Sequence, residues 1–431
     1  MKKKTNTKTP EVSRRDFIKA SAAVSLAAMT LDSSRVFAAG SNKLRVGLIG
    51  CGGRGTGAAK DCVKSSDNIE IVAMGDLFGD RVDRSLENLR NSVGENVKVT
   101  EDTCFVGFDA FQKVIDSELD MVILATPPHF RPEHLKAAIE AGKHVFMEKP
   151  VAVDPVGVRS VIASSELAEQ KALAIVAGTQ RRHQARYLEV MKRIHNGDIG
   201  EIVAGQCYWN QGALWVDRAK ENLRKKKELG WSDMEWQCRT WLFFTWLSGD
   251  HIVEQHVHNL DIINWAIGSH PVQCLGMGGR EVRTGPEFGN VFDHFAVEYE
   301  YPNGVRVLSM CRQISGCTNR VAERIVGATG VAHGSGKIEG ANPYTYEGDS
   351  PNPYVQEHAD LIASIRGGKP LNEGRRIAES TLTAIMGRMS AYTGRALKWD
   401  WAMNASKLDL TPSKYQMGIE PVAVPGKTKL I

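Results

Sequence analysis

The sequence predicts an α/β protein of two domains, an N-terminal doubly wound parallel sheet followed by a C-terminal α+β domain with a large, mostly antiparallel sheet. Three observations lead there. A short apolar run, LRVGLIG (44–50), turns through glycines into a small-residue helix start. Strand-like and helix-like segments then alternate as far as HVFMEKP (144–150), the order expected of parallel strands joined by crossover helices. Later segments alternate with a period of two, most clearly DHFAVEYEYPNGVRVLSMC (293–311), in which Pro-Asn-Gly separates two antiparallel-type runs.

The first elements form one ligand-binding argument. Gly50, Gly52 and Gly55 fit G-x-G-x-x-G, with Gly53 and Arg54 inside the same loop. The first glycine permits the tight turn, the second lets a pyrophosphate approach backbone, and the third lets helix and strand pack closely. Phosphate would sit on the helix N-terminus, where free N–H groups and the dipole favour negative charge. IEIVAMGD (69–76) is a second strand ending at Asp76. An acid there can accept from the ribose hydroxyls of NAD and repels a 2′-phosphate, so NAD is favoured over NADP. The plainer reading of Asp76 is a strand-end turn residue. LDMVILATPP (119–128) reads as a buried strand, PEHLKAAIEAGK (132–143) as a helix and HVFMEKP as a further strand.

Five motifs in order, VGLIGCGGRG, Asp76, ATPPHF, AGKHVFMEKP and GTQRRH, resemble the Gfo/Idh/MocA family, named after glucose-fructose oxidoreductase and inositol dehydrogenase. The resemblance runs from about residue 43 to about residue 400. It implies a Rossmann cofactor domain over 41–165, a substrate domain over 166–400 and a C-terminal tail over 401–431. It also implies cofactor contacts at Thr126, Pro127, His129, Glu148, Lys149 and Gln180. The lysine of E-K-P, here Lys149, is the family's partner for the substrate oxygen, and Glu148 would lie near the nicotinamide ribose. Chemistry agrees: an ammonium at a strand end beside a nicotinamide can stabilise charge on the oxygen whose carbon gives up hydride. A surface lysine ending a strand is the plain alternative.

Ahead of this lies an export signal. Four lysines fall among the first eight residues, followed by SRRDFIKA, a short apolar run and VFAAG. Ser13, Arg14, Arg15, Phe17 and Lys19 resemble a twin-arginine signal, with Val36 and Ala38 suited to cleavage after Ala38. The alternative is a basic disordered arm. The apolar run is shorter than the ~20 residues of a bilayer span. An exported, periplasmic or otherwise extracytoplasmic protein is expected, with the twin-arginine machinery as partner of the precursor.

Composition is globular, at 42% hydrophobic residues, and the roughly 390 residues beyond the signal call for two domains. Residues 1–38 hold eight Lys/Arg against three Asp/Glu, so the +4 of the whole chain becomes −1 without them. Such a chain offers no electrostatic footprint for nucleic acid. Eight dispersed cysteines without a CxxC read as thiols rather than a disulfide scaffold or zinc knuckle.

In the second half, six tryptophans (Trp209, Trp215, Trp231, Trp236, Trp241, Trp246) fall within residues 209–246, among Asn210, Gln211, Gln237 and Arg239. Aromatic faces suit the C–H faces of pyranose rings, and amides and arginine suit the hydroxyls. Trp209, Asn210, Arg239 and Trp241, with Arg181 from GTQRRH, are therefore candidate substrate contacts. Burial in a loop or between subunits is the bland reading, and the charge run RAKENLRKKKELG (218–230) reads as a solvated helix face.

The segment GDHIVEQHVHNLDIINWAIG (249–268) gathers three histidines, a glutamate and two aspartates within its first thirteen residues. As one helix it would align His251, Glu254, His258 and Asp261 on a stripe and turn His256 away. No HExxH or second ligand cluster accompanies it, so no metal is expected. Family members often carry D-x-x-x-H-x-x-D here. Glu254 then takes the position of a substrate-contacting acid, His258 that of the histidine beside the substrate hydroxyl, and Asp261 that of the trailing acid. The glutamate and His256 depart from the family pattern. Histidine suits the role because its ordinary pKa, near 6.5, lets it take and return a proton around neutrality.

Three functions compete. The first is NAD-dependent oxidation of a ring hydroxyl of a sugar or glycoside, with Lys149, His258 and Glu254 as catalytic residues and the cofactor tightly bound. The second is redox-neutral glycoside hydrolysis through transient oxidation, because export removes the protein from a free NAD pool. The third is non-catalytic sugar binding, against which Lys149 and His258 together argue. An outer sheet face able to support homo-oligomers is expected, as is common in the family.

Overall fold

A computed structural model describes residues 42–413, 415 and 418–430; the signal segment 1–38 lies outside them. The first sheet is built from β1 (Leu44–Ile49), β2 (Ile69–Asp76), β3 (Cys104–Val106), β4 (Met121–Leu124), β5 (His144–Met147) and β6 (Ile175–Ala177). Between them run α1 (Gly53–Ser65), α2 (Gly79–Val93), α3 (Ala110–Asp116), α4 (Arg131–Glu140) and α5 (Pro155–Gln170). The strands are parallel in the order β3-β2-β1-β4-β5-β6. All four residues of β4 are buried, as a strand covered by helices on both faces requires. The order reverses between β1 and β4, and the crevice beyond their carboxyl ends is where such sheets bind ligands.

One boundary moves. Residue 165, expected to end this domain, falls inside α5, and β6 carries the sheet on to Ala177. The segment lacks a turn signal at 165 because its breaks come later, at Ala172 and Gly178.

The second domain opens with α6 (Ala185–His195), which buries Tyr187, Val190, Met191 and Ile194 on one face, as their spacing predicts. After β7 (Ile202–Gln211) come α7 (Val216–Leu229), α8 (Asp233–Arg239), α9 (Thr245–Ser248), α10 (His251–Glu254) and α11 (Val257–Ile267). The sheet is completed by β8 (Gln273–Gly279), β9 (His294–Glu300), β10 (Arg306–Gln313), β11 (Arg320–Gly327), β12 (Gly330–His333), β13 (Lys337–Gly340), β14 (Tyr344–Thr345) and β15 (Leu397–Lys398). Its order is β14-β13-β12-β11-β7-β10-β9-β8-β15, antiparallel except for the β7–β10 pair.

Two late helices close the molecule: α12 (Pro353–Arg366), packed on α1, and α13 (Gly374–Thr393), packed on α5 and β8. Nearly all of α13 is buried, so it acts as a shared wall between the two sheets. Among the described residues no helix is long and apolar enough to cross a membrane.

The sequence expectation of one helix over 249–268 is corrected. The helix breaks at Gln255 and His256, giving α10 and α11. The His256 N–H reaches back to the His251 carbonyl at 3.1 Å, a wide turn that resets the register of everything after it.

The glycine loop depends on close approach. Gly50 has φ +97°, and a Cβ on Gly55 would come within 1.9 Å of the Gly50 carbonyl oxygen, which is backbone and cannot yield. Gly55→Ala is therefore expected to push α1 off β1. Overpacking of this kind costs about 1–3 kcal/mol, read as a lowered Tm in thermal unfolding; an unchanged Tm would contradict the close packing.

Candidate active site

At the turn from β1 to α1, Cβ atoms on Gly52 or Gly53 would meet nothing within 4 Å, whereas one on Gly50 would strike the Thr126 backbone nitrogen at 2.5 Å. The α1 N-terminus has no side-chain cap and no acid in its first turn. Open backbone with unclaimed N–H groups fits a dinucleotide pyrophosphate. Arg54 does not reach toward it with its side chain. Its guanidinium bonds Glu148 through Nε and lies 3.3 Å from both Asp61 and Glu357, leaving only its backbone for the loop.

Beyond β2 a small pocket is lined by Asp76, Leu77, Phe78, Arg81, Phe108, Thr126, Pro127 and Phe130 among others. This is where an adenosine would lie. Asp76 accepts from Cys51 N at 2.8 Å and from Phe78 N at 3.0 Å. It is thus a turn-holding residue and a pocket wall at once, and burial raises its carboxyl pKa. His129, expected at the cofactor, instead stands edge-on to Phe130 and Trp246. Burial lowers its pKa to about 4, as for an imidazole inside an aromatic cluster.

At the carboxyl end of β5, Glu148 packs against Gly178, where a Cβ would come within 2.6 Å of its carboxylate. Lys149 crosses to the second domain: Nζ donates to the Glu254 carbonyl at 2.6 Å and lies 3.4 Å from Glu254 Oε1. Gln180 donates to Tyr354 Oη at 3.3 Å, and its buried Oε1 has no partner in the protein. An orphaned buried acceptor fits a bound group with a donor.

His258 is buried and stacks on Trp209, with ring centroids 5.7 Å apart and planes 20° apart. Arg181 lies over the same indole at 5.6 Å and pairs with Glu323. Burial, then the cations Lys149, Arg181 and Arg54, drive the His258 pKa well below its ordinary value, so the ring is neutral at neutral pH and able to accept a proton. Lys149, Glu254, His258, Trp209 and Arg181 thus come together as the sequence expected, though on a broken helix.

Other candidates go elsewhere. Asp261 is held by Arg182 through two oxygens, at 2.8 and 2.9 Å, and by Ser380 at 2.8 Å. Burial opposes its charge, but Arg182 and Ser380 outweigh it and the pKa falls. Breaking a buried pair costs about 3–5 kcal/mol, so Asp261 is a structural residue rather than a substrate contact. Asn210 follows Trp209 on a strand and projects from the opposite face of the sheet, away from His258. Arg239 pairs with Asp80 at 3.1 Å and Glu235 at 3.0 Å, at the adenosine pocket. Trp241 stands edge-on to Trp215 in an apolar cluster with Leu242 and Phe243, while Trp236 and Trp246 are core residues.

His251 Nδ1 lies 3.1 Å from Asp250 Oδ1, and His256 Nε2 lies 2.7 Å from Ser309 Oγ. Among the described residues no three His, Cys, Asp or Glu side chains gather as a metal site.

Two buried arginines escaped the sequence reading. Arg131 donates to the Pro150 carbonyl at 2.5 Å and the Thr126 carbonyl at 2.6 Å, tying together the strand ends that flank the cofactor cleft. Arg388, on α13, donates to the carbonyls of Val153 at 2.8 Å and Gly249 at 3.1 Å, joining the segments that carry Lys149 and Glu254. Their targets are backbone oxygens distant in sequence, for which no motif exists.

Comparisons with known proteins agree with this architecture. Residues 44–178 match the Gfo/Idh/MocA oxidoreductase family model with its NAD-binding Rossmann fold, and residues 187–333 match the Gfo/Idh/MocA C-terminal domain. Residues 11–30 match the twin-arginine translocation signal, which directs export across the cytoplasmic membrane. The chain is 29% identical over 212 residues to 2,7-anhydro-N-acetylneuraminate hydratase of Escherichia coli, covering 49% of this chain and 50% of that one. It is 28% identical over 165 residues to inositol 2-dehydrogenase 4 of Saccharopolyspora erythraea, covering 38% and 45%. The chain thus spans about half the length of these relatives. Among solved structures, scyllo-inositol dehydrogenase from Lactobacillus casei with bound NAD(H) and scyllo-inositol superposes with a TM-score of 0.62 at 16% identity, over 83% of this chain and 99% of that one. Aldose-aldose oxidoreductase from Caulobacter crescentus gives 0.62 at 18%, over the same shares. The chain belongs to the Gfo/Idh/MocA family of oxidoreductases, with an NAD-binding Rossmann domain and a twin-arginine export signal.

Proposed function

We propose that this protein is an exported NAD-dependent oxidoreductase, periplasmic or otherwise extracytoplasmic, that removes hydride from a ring hydroxyl carbon of a sugar, glycoside or cyclic polyol. The observation that carries the reading is the meeting of Lys149, from the end of β5, with Glu254 and a neutral, buried His258 from the second domain. When bound, NAD supplies the hydride acceptor. The substrate hydroxyl gives its proton to His258, and Lys149 donates to the same oxygen as charge develops on it. Trp209 offers an apolar face to the ring, Glu254 orients a neighbouring hydroxyl, and Gln180 offers its free acceptor.

A second reading is redox-neutral glycoside cleavage. The same groups would oxidise one ring carbon, which acidifies the adjacent C–H. The aglycone would then be eliminated, water added, and the hydride returned. A curated relative named as a hydratase favours it, as does export away from a pool of free NAD.

The outer face of the second sheet supports assembly of identical copies. Register places Met277, Ala296 and Met310 in one cross-strand row and Leu275, Glu298 and Leu308 in the next. Met277 is 73% exposed and Leu275 55%, an apolar patch of the kind that marks an interface.

Mixed with p-nitrophenyl glycosides and free sugars, the protein should form NADH in step with sugar; phenol release without net NADH would select the second reading. Lys149→Ala should lower either rate by about 10²–10⁴-fold, and full activity would remove Lys149 from the mechanism.

The pH profile follows from His258. Because its pKa is held below the ordinary 6.5 or so, the base stays neutral as pH falls through that value, and the acid limb of kcat/KM lies lower. Arg181→Met removes one of the depressing cations and should move the limb upward. A wild-type limb at or above the ordinary value would contradict the assignment.

In sedimentation, the pair Met277→Asp and Leu308→Asp should convert oligomer to monomer; a monomeric wild type would refute the interface.

A further inference from the structure

The tryptophan-rich segment between β7 and α10 reaches the far end of the cofactor cleft from Lys149. Cys238, on α8, is part of the wall of the adenosine pocket. Its neighbour Arg239 bonds Asp80 at 3.1 Å and lays its guanidinium 3.8 Å from the centroid of Phe78. Phe78 and Asp80 belong to the loop and helix start directly after Asp76, so this contact pins the loop that would hold the adenosine ribose. On the opposite wall, Tyr415 of the C-terminal tail stacks on Phe108 at 4.5 Å with the rings 19° apart, and lies 6.4 Å from Phe130. Phe78, Phe108 and Phe130 all line the pocket. The tail is anchored alongside by Leu410 N, which donates to Asp154 at 2.9 Å, and by the Gly418 carbonyl, which accepts from Gln237 at 3.3 Å.

The pocket is half open to solvent, and Arg239 and Tyr415 pack against residues of its wall. An adenosine bound there would be held by this wall, and a shift of the wall would loosen it. The nucleotide-binding sheet and its own helices cannot supply the motion cheaply, because their cores are close-packed. Arg239 and Tyr415 can: Arg239, on a short helix, holds the wall through ion pairs and contacts with aromatic rings, and Tyr415, at a position outside helix and strand, through ring stacking.

We propose that Arg239 and Tyr415 complete the adenosine site from outside the nucleotide-binding domain and slow the cofactor's exit by holding Phe78 and Phe108 in place. Retention suits a protein that crosses a membrane folded and then works where no free dinucleotide is supplied. The proposal rests on the dinucleotide reading above.

The test is the exit rate of NADH from the loaded full-length protein, followed by the loss of its fluorescence after dilution into excess NAD. Arg239→Ala and Tyr415→Ala should each speed exit by about fivefold or more, the factor that one such contact is worth. Tyr415→Phe, which keeps the stack, should match wild type, and Arg239→Lys should fall between wild type and Arg239→Ala. Ile419→Ala, in the tail but exposed, should change nothing. Binding of NADH with one exit rate shared by wild type and both alanine variants would overturn retention and leave the cofactor reading standing. A wild type that binds no dinucleotide would overturn both.

Discussion

The hydrogen bond from Lys149 Nζ to the Glu254 carbonyl, 2.6 Å long, spans the gap between the parallel sheet and the helices of the second domain. Much of the molecule is organised to keep its two ends in place. On one side, Arg131 locks the strand end by holding the Pro150 and Thr126 carbonyls. On the other, Arg388 holds the Val153 and Gly249 carbonyls at once. Both arginines are buried, and burial lowers the pKa of each, that of Arg131 to about 10. Burying a cation is costly unless its hydrogen bonds are made, so these positions make sense only if the backbone geometry they secure is needed.

Charge around the site is balanced in pairs rather than accumulated. Lys149 faces Glu254, Arg181 faces Glu323, and Arg54 faces Glu148 and Glu357. Glu357 is deeply buried beside Glu148, and burial and that neighbour raise its pKa well above the ordinary range despite Arg54. His258 is buried, and it sits among these cations, so burial first and the cations second keep its imidazole neutral. In the proposed oxidation, the cations that would stabilise a developing alkoxide would also keep the base unprotonated, so one arrangement would serve both the proton and the hydride transfer.

The tryptophan-rich segment shows why composition misleads about place. Its aromatic and polar residues look like a carbohydrate platform, yet Trp236 and Trp246 are core, Trp241 packs on Trp215, and Arg239 serves the opposite end of the cleft. Trp209 alone stacks on His258. Nothing local distinguishes these indoles, because burial of an aromatic ring depends on what folds over it.

Local chemistry was enough to identify the cofactor fold. Gly50, Gly52 and Gly55 are demanded by backbone approach, Asp76 by its strand end, and Lys149 by its place after β5; all are short-range constraints written in adjacent residues. The alternation of β9 and β10 about Pro-Asn-Gly was legible for the same reason. Tertiary structure decided the rest. The break at Gln255–His256 came from His256 bonding Ser309, fifty-three residues away, and it dissolved the stripe that a continuous helix would have made. Asp261 was withdrawn from the site by Arg182, seventy-nine residues before it, and Asn210 by the pleat of its strand. Sequence thus determined which groups the chain could offer, while long-range hydrogen bonds and packing determined which of them face one another, because such contacts bring together positions that no local pattern relates.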